Sequence, residues 1–168
     1  NAELQIGSTG DYVALIRGNI GSTGMNGDYV LDVRTLPTTN VNFPNLRVTS
    51  LDDIATPGLR TGDPLTVHYE VTNAGSLGTG AGNWVDRIVL SVNDLYGDSD
   101  DLQLAVVPHA GALAPAGSYT VNQPVMLPDG LPGNFHIIVY TDSANAVDEI
   151  LQEGDNTLAT SVPFSVQL

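Results

Sequence analysis

Cysteine is absent from this chain of 168 residues. Its absence excludes disulfides, cysteine nucleophiles and metal sites built on thiolates. The chain also lacks any uninterrupted run of about 18 apolar residues, which is the length that a transmembrane helix needs. We therefore expect a domain that folds without covalent crosslinks and does not insert into a membrane.

Positive charge is scarce. The chain has 5 basic residues, all of them arginine, against 19 acidic residues, which gives a formal net charge of −14. A surface of this charge repels the phosphates of nucleic acids and the headgroups of anionic lipids. We therefore expect neither a nucleic-acid partner nor a membrane-surface partner.

Glutamate and lysine, two residues that favour helices, are also scarce: glutamate occurs at four positions and lysine at none, whereas the chain has 18 glycines and 10 prolines. This composition favours turns over long helices. From residue 45 onward, runs of β-forming residues alternate with turn phrases at regular spacing, which is typical of a β-sandwich. The runs cover residues 45–51, 64–73, 84–92, 102–107, 118–127, 134–141 and 158–166. The pattern predicts an all-β fold, an immunoglobulin-like antiparallel sandwich of about seven strands.

Two of the runs indicate where their strands lie in the sheets. Residues 65–73 alternate between apolar and polar side chains, which is typical of a half-buried antiparallel strand. Residues 135–142 are almost continuously apolar, which predicts a strand in the middle of a sheet. The stretch 143–153 is the one place in this part of the chain where the sequence suggests a helical turn or two.

The N-terminal part of the chain contains a short internal echo. The phrase GSTG is followed by DYV within residues 7–16 and again within residues 21–33, and each copy leads into an alternating run. We interpret the two copies as the strands of a hairpin, and the proline-containing segment 36–44 as a linker. The predicted units are thus residues 1–40 and residues 41–168. Because an isolated hairpin is only marginally stable, we expect it to pack on a neighbouring sheet or to mediate self-association.

Six phrases in the second unit, in order, resemble the CARDB module, the cell-adhesion-related domain found in bacteria. They are LRVTSL from residue 46, TGDPLTVHYEVTNAGSLGTG from 61, NWVDRIVLSVNDLYGDSDD from 83, GALAPAGSYT from 111, VMLPDGLPGNFHIIVYTD from 125 and VDEILQEGDNT from 147. The resemblance implies an immunoglobulin-like sandwich without catalytic residues, used as a structural or adhesive unit in exported or surface-anchored bacterial proteins. Residues 1–36 resemble the closing strands of a pre-peptidase C-terminal-type β-domain, through a GDY phrase that leads into a final strand.

Acidic and amide side chains gather in two segments. The first set follows the strand that contains Trp84 and consists of Asn93, Asp94, Asp98, Asp100 and Asp101, with Asp86 eight residues before Asp94. The second set consists of Asp142, Asn145, Asp148, Glu149, Glu153, Asp155 and Asn156. Crowded oxygen ligands on turns suit Ca²⁺, although the spacing does not match an EF-hand loop.

Two interpretations of these segments remain open. Asp, Asn and Gly are common in ordinary solvated turns, so the clusters need not bind anything. Carboxylates this close together repel each other, however, and a strongly acidic chain gains stability from a bound divalent cation. For a calcium site, the candidate ligands are Asp86, Asn93, Asp94, Asp98, Asp100, Asp101, Asp142, Glu149 and Asp155.

No catalytic arrangement is visible in the sequence, because the three histidines stand apart and no GxSxG phrase is present. The leading hypothesis is a non-catalytic spacer or adhesion module of a large secreted or surface-anchored bacterial protein, stabilised by calcium. Its expected partners are the neighbouring domains of a longer chain and a cell-surface or glycan ligand. The alternative is a carbohydrate-binding accessory module of an exported hydrolase, in which Trp84 and Tyr96 would offer an aromatic surface to a sugar ring.

Overall fold

The computed structural model describes residues 43–80, 82–149 and 152–168. The predicted N-terminal hairpin, its resemblance to a pre-peptidase C-terminal-type domain and the predicted boundary after residue 40 lie outside these ranges. The described part of the chain contains eight β-strands. They are β1 (Leu46–Leu51), β2 (Pro64–Asn73), β3 (Asn83–Ser91), β4 (Leu102–Ala110), β5 (Ser118–Met126), β6 (Gly133–Tyr140), β7 (Thr157–Ala159) and β8 (Phe164–Val166).

The strands form two antiparallel sheets. The first sheet has the order β1-β2-β5, and the second has the order β4-β3-β6-β7, with β8 also pairing with β6. In the first sheet, Val71 of β2 lies opposite Val48 of β1 and Tyr119 of β5. The described ranges contain no helix that is long and apolar enough to cross a membrane. The prediction of an all-β, immunoglobulin-like sandwich is therefore confirmed.

The core lies between the two sheets and follows the alternation seen in the sequence. On β2, the side chains of Leu65, Val67, Tyr69 and Val71 are buried, and the residues between them are more exposed. Strand β6 lies inside its sheet, between β3 on one side and β7 and β8 on the other, and is apolar over most of its length. Both strand predictions are confirmed. The predicted final strand 158–166 is instead split into β7 and β8.

The sequence suggested a helical turn or two over residues 143–153, but the described residues of this segment, 143–149 and 152–153, contain turns and no helix. Asp142 and Asn145 have φ angles of 47° and 54°, in the left-handed region. Because a right-handed helix requires negative φ angles, a helix cannot continue through either of these residues. The backbone N–H of Asn145 donates to the carbonyl of Asp142 at 2.9 Å, and the N–H of Gln152 donates to the carbonyl of Glu149 at 3.2 Å. The polar side chains between β6 and β7 therefore lie on consecutive turns instead of on one face of a helix.

The backbone just before β1 is held against the turn that follows β2. The carbonyl of Asn45 accepts a hydrogen bond from the N–H of Ala74 at 2.6 Å, and the N–H of Asn45 donates to Oδ1 of the buried Asn73 at 3.0 Å. Gly75 lies directly under this backbone, where a Cβ atom would come within 2.6 Å of the Asn45 nitrogen. The position of Asn45 is therefore fixed by main-chain contacts, independently of its side chain.

Candidate metal centre

Asp86 lies in the interior of the sandwich and is 0% exposed. Its Oδ2 atom accepts hydrogen bonds from the hydroxyls of Tyr69 at 3.0 Å and Tyr119 at 2.7 Å. Its Oδ1 atom accepts from the Thr141 hydroxyl at 2.8 Å and from the backbone N–H of Asp142 at 3.3 Å. Burial, and then the negative charge of Asp86, raise the pKa of both tyrosine hydroxyls, which keeps them protonated as donors. The Asp86 carboxylate thus accepts four hydrogen bonds. Two of them come from β2 and β5 of the first sheet, so they connect that sheet to β3 of the second.

Asp142 organises the turn that follows β6. Its Oδ1 accepts a hydrogen bond from the N–H of Ala146 at 2.9 Å, and its Oδ2 accepts from the N–H of Val147 at 2.7 Å. Burial is the main cause that raises the pKa of this carboxyl, and the nearby charge of Asp86 acts in the same direction. Both oxygens of Asp142 are therefore engaged in holding the loop in shape.

The loop between β3 and β4 brings Asp98, Asp100 and Asp101 together, with one carboxylate oxygen of each within 4.8 Å of the others. Its oxygens already have several donors. Oδ2 of Asp100 accepts from the Ser91 hydroxyl at 3.1 Å, and Oδ2 of Asp98 accepts from the Asn93 amide at 2.8 Å. The side-chain hydrogen bond between Asp98 and Asp100, followed by the one from Asn93, holds the pKa of Asp98 below its usual value.

A positive charge also lies beside this loop. Arg87 of β3 lines the same shallow cleft as Asp98 and Asp101, and its Nη1 donates to the hydroxyl of Tyr96 at 3.2 Å. Asp94, the remaining candidate in this loop, is exposed. Donors from the protein and a nearby guanidinium thus compensate part of the negative charge that a cation would otherwise compensate.

The connection between β6 and β7 contains a different arrangement. Glu149 is 0% exposed, and its Oε1 atom is buried without a hydrogen-bond partner. The pKa of this carboxyl is raised to about 8, mainly by burial. A backbone hydrogen bond from Leu46 lowers it, and the charges of Glu153, Asp142 and Asp155 act in the same direction as burial. An acceptor buried in this way carries the cost of lost hydration without compensation.

Two more oxygens without partners belong to the same neighbourhood. They are Oδ1 of Asp155 and Oδ1 of Asn45. The two side chains are adjacent, since the Asn45 amide nitrogen donates to Oδ2 of Asp155 at 3.3 Å, and Nε of Arg47 lies 3.2 Å from that same oxygen. Three of the five buried side-chain polar atoms without a partner in the described ranges are therefore the oxygens of Asn45, Glu149 and Asp155.

Two amides connect these residues to the rest of the loop. With its nitrogen turned toward the neighbouring oxygens, Asn156 donates to the Leu46 carbonyl at 2.8 Å and to Oε2 of Glu149 at 3.2 Å. In the same way Asn145 donates to Glu153, whose Oε1 also accepts from the N–H of Glu149 at 3.0 Å. We use the term "β1 acidic site" for Asn45, the Leu46 carbonyl, Glu149, Asp155 and Asn156.

The structure thus divides the sequence-predicted ligands into three places: the buried Asp86 with Asp142, the β3–β4 loop, and the β1 acidic site. Sequence reasoning selected Glu149 and Asp155 but missed Asn45 and the Leu46 carbonyl. Asn45 precedes the first strand and lies 110 residues before Asp155, so no local spacing connects the two. Carboxylate, amide and carbonyl oxygens together are the ligand types that Ca²⁺ uses.

The aromatic pair considered for sugar binding is not assembled. Trp84 is 3% exposed, its indole nitrogen donates to the Tyr119 hydroxyl at 3.0 Å, and its ring stacks on His109 with the centroids 4.0 Å apart. Tyr96 packs instead against Tyr140, with the ring centroids 4.8 Å apart. Trp84 therefore belongs to the core rather than to an exposed surface.

Comparison with known proteins finds likenesses among solved structures. A CARDB domain from Pyrococcus furiosus in solution is 19% identical with a TM-score of 0.49, over 76% of this chain and 98% of that one. A crystal structure of this CARDB domain in complex with di-metal ions is 18% identical with a TM-score of 0.49, over 83% of this chain and 99% of that one. A domain from Methanosarcina acetivorans, whose parent is provisionally described as a cell surface protein, is 23% identical with a TM-score of 0.47, over 75% and 93%.

No family model and no curated protein matches the chain. The first two structures are CARDB domains, the family that the six sequence phrases resemble.

Proposed function

We propose that residues 43–168 form a non-catalytic, immunoglobulin-like module of a secreted or surface-anchored bacterial protein, and that Ca²⁺ bound at the β1 acidic site stabilises it. The observation that carries the proposal is the group of buried oxygens without partners on Asn45, Glu149 and Asp155. In the described ranges, the carboxylates nearest the core otherwise have donors, as Asp86 and Asp142 do.

The chemistry of these oxygens favours calcium over magnesium. Ca²⁺ accepts six to eight oxygen ligands at about 2.3–2.6 Å in flexible geometry, including amide and backbone carbonyl oxygens. Mg²⁺ prefers a regular octahedron and retains several waters, which suits a site with fewer protein ligands. The β1 acidic site combines the carboxylates of Glu149 and Asp155 with the amide oxygen of Asn45 and the backbone carbonyl oxygen of Leu46. Ca²⁺ fits this set of ligands better than Mg²⁺, because it is larger and tolerates irregular coordination geometry.

The charge of the chain supports a role in an environment that contains calcium. At a formal net charge of −14, the folded state loses stability through self-repulsion, and a divalent cation offsets part of this loss. Such a module folds without disulfides, because the chain has no cysteine. As a spacer or adhesion unit it would contact neighbouring domains of a longer chain and a ligand on a cell surface.

Thermal unfolding of the 168-residue chain tests the proposal. We expect Ca²⁺ at millimolar concentration to raise the melting temperature by about 5–10 °C relative to excess EDTA, and Mg²⁺ to raise it much less. The Glu149→Gln and Asp155→Asn variants would lose most of the calcium effect, because each removes a charged ligand. The exposed Asp129 provides the matched control, since Asp129→Asn would retain the full effect. An equal melting temperature in EDTA and in Ca²⁺ would overturn the calcium site.

A further inference from the structure

The oxygens of the β1 acidic site come from two distant parts of the chain that belong to different sheets. Asn45 and the Leu46 carbonyl lie at the start of β1, in the sheet formed by β1, β2 and β5. Glu149, Asp155 and Asn156 lie in the connection that joins β6 to β7, in the other sheet. A cation that binds oxygens from both parts would join the two sheets along this edge of the sandwich.

Strand β1 is the element that such a bond would affect most. It pairs with β2 alone, at the edge of its sheet, and its ladder is irregular between Val48 and Ser50. Edge strands with a short or interrupted ladder open at a lower free energy than central strands. By contrast, β2 pairs on both sides, with β1 and with β5.

The direct contacts that the protein itself supplies between β1 and the β6–β7 connection at this site are polar and few. They are the backbone hydrogen bond from Leu46 to Glu149, the Asn45–Asp155 hydrogen bond at 3.3 Å, the Arg47–Asp155 ion pair at 3.2 Å and the Asn156–Leu46 hydrogen bond at 2.8 Å. The Arg47 side chain is 51% exposed, so its ion pair contributes little stability. Without a cation, this edge is therefore weakly held.

We propose that the bound cation acts as a clasp, with Asn45 Oδ1 and the Leu46 carbonyl as its ligands from β1, and that it locks β1 onto the β6–β7 connection. The inference rests on the proposed calcium site and goes beyond it, because it assigns the ion a local mechanical role. The backbone around Asn45 is already positioned by Asn73 and Gly75, so the ligand from β1 is presented without rearrangement. The ion then converts a weakly held edge strand into one as stable as the core.

Hydrogen exchange of the 168-residue chain, followed amide by amide in EDTA and in saturating Ca²⁺, tests the clasp. In EDTA, we expect the hydrogen-bonded amides of β1 to exchange faster than those of β3 and β6. Ca²⁺ is expected to slow exchange in β1 by at least about tenfold more than in β3 and β6, because it closes a local opening. Equal slowing in all strands, or slowing confined to residues 142–149 and 152–156, would overturn the clasp.

Variants at Asn45 test whether its side-chain oxygen is a ligand of the cation. In Asn45→Ala, calcium is expected to bind about tenfold more weakly and to lose its selective protection of β1. Asn45→Asp retains an oxygen at this position and is expected to keep both effects. The control is Asn122→Ala, which makes the same change at an exposed position on β5. If Asn45→Asp also lost the protection of β1, the assignment of this oxygen as a ligand would be wrong.

Calorimetric titration with CaCl₂ distinguishes the two proposals. Absence of calcium binding to the unsubstituted chain would overturn the site and the clasp together. Binding with a raised melting temperature but no selective protection of β1 would overturn the clasp and leave the calcium site intact. Because the exchange experiment on the unsubstituted chain decides this point, the result does not depend on the folding of any variant.

Discussion

The hydroxyl of Tyr69 donates a hydrogen bond to Oδ2 of Asp86 across the interior of the sandwich, at 3.0 Å, and both side chains are 0% exposed. Tyr69 belongs to β2 of the first sheet and Asp86 to β3 of the second. Alternation along each strand brings these two polar groups to the inner faces, where each satisfies the other. A buried carboxylate in this position fixes how the sheets face each other.

The Tyr69→Phe substitution removes this hydrogen bond and leaves the ring in place. We expect it to lower the free energy of unfolding by about 1.5–3 kcal/mol, the usual contribution of a hydrogen bond to a charged group. Chemical denaturation in EDTA measures the effect without interference from a bound cation. In an Asp86→Asn background the same substitution would cost much less, because the charged acceptor is already gone. An equal loss in both backgrounds would show that the two side chains are not coupled.

Gly75 tests how tightly the backbone before β1 is held. A Cβ atom there would lie 2.6 Å from the Asn45 nitrogen and 2.6 Å from the Pro44 carbonyl carbon, and closer still to the Phe43 carbonyl oxygen. We expect Gly75→Ala to cost about 2–4 kcal/mol of unfolding free energy, because the backbone must move away. We also expect weaker calcium binding, since Asn45 would be displaced. Thermal unfolding and calcium titration measure the two effects.

The control for this substitution is Gly82→Ala. Its Cβ would meet its nearest neighbour, the nitrogen of Ala112, at 3.8 Å, which is an ordinary contact. A change in stability within about 0.5 kcal/mol is expected there. If the two variants were equally stable, the close approach at Gly75 would not be a constraint.

Strand positions were predictable from sequence because their signal is local. The alternation of Leu65, Val67 and Tyr69 specifies one buried face, and the dense apolar run of β6 specifies an interior strand. The split between β7 and β8 was missed, although Thr160, Ser161 and Pro163 interrupt the run 158–166 and a proline cannot donate a ladder hydrogen bond. The left-handed turns at Asp142 and Asn145 were also missed, because short polar residues tolerate this conformation without being limited to it.

The candidate site was predictable only in part, for a related reason. Glu149 and Asp155 lie close together in the sequence, in an acidic segment that predicts a cation site. The burial of Glu149, and the approach of Asn45 to Asp155 from the other sheet, depend on how β1 lies against the β6–β7 connection. Composition likewise favoured the β3–β4 loop, where the acidic residues are densest. In that loop, however, donors from the protein already satisfy many of the oxygens.

The β3–β4 loop offers a direct comparison with the β1 acidic site. We expect the combined variant Asp98→Asn and Asp101→Asn to keep the full calcium-dependent rise in melting temperature. The reason is that Oδ2 of Asp98 accepts a hydrogen bond from Asn93 and Oδ2 of Asp101 accepts one from the N–H of Gly97. Of these two carboxylates, Asp101 alone has a buried oxygen without a partner, Oδ1. Thermal unfolding in EDTA and in Ca²⁺ measures this. Loss of the calcium effect in this variant, with retention in Glu149→Gln, would move the site to the β3–β4 loop.

The raised pKa of Glu149 predicts how the free energy of unfolding depends on pH in the absence of metal. Burial is the main cause that raises the pKa of this carboxyl to about 8 in the folded protein, whereas a glutamate in the unfolded chain titrates near its ordinary pKa of 4.5. The folded state therefore holds a proton that the unfolded state releases, and stability falls as pH rises between these two values. From this group alone, we expect a loss of about 3 kcal/mol between pH 5 and pH 8 in EDTA.

The Glu149→Gln variant isolates this contribution. Glutamine remains neutral at every pH, so the fall in stability between pH 5 and pH 8 is expected to be smaller in this variant by most of that amount. Glu70→Gln, at a partly exposed position on β2, is the matched control and would keep the slope of the unsubstituted chain. Denaturation with urea at a series of pH values, all in EDTA, measures the three slopes. Parallel slopes for Glu149→Gln and the unsubstituted chain would mean that Glu149 is already ionised in the folded state at pH 5.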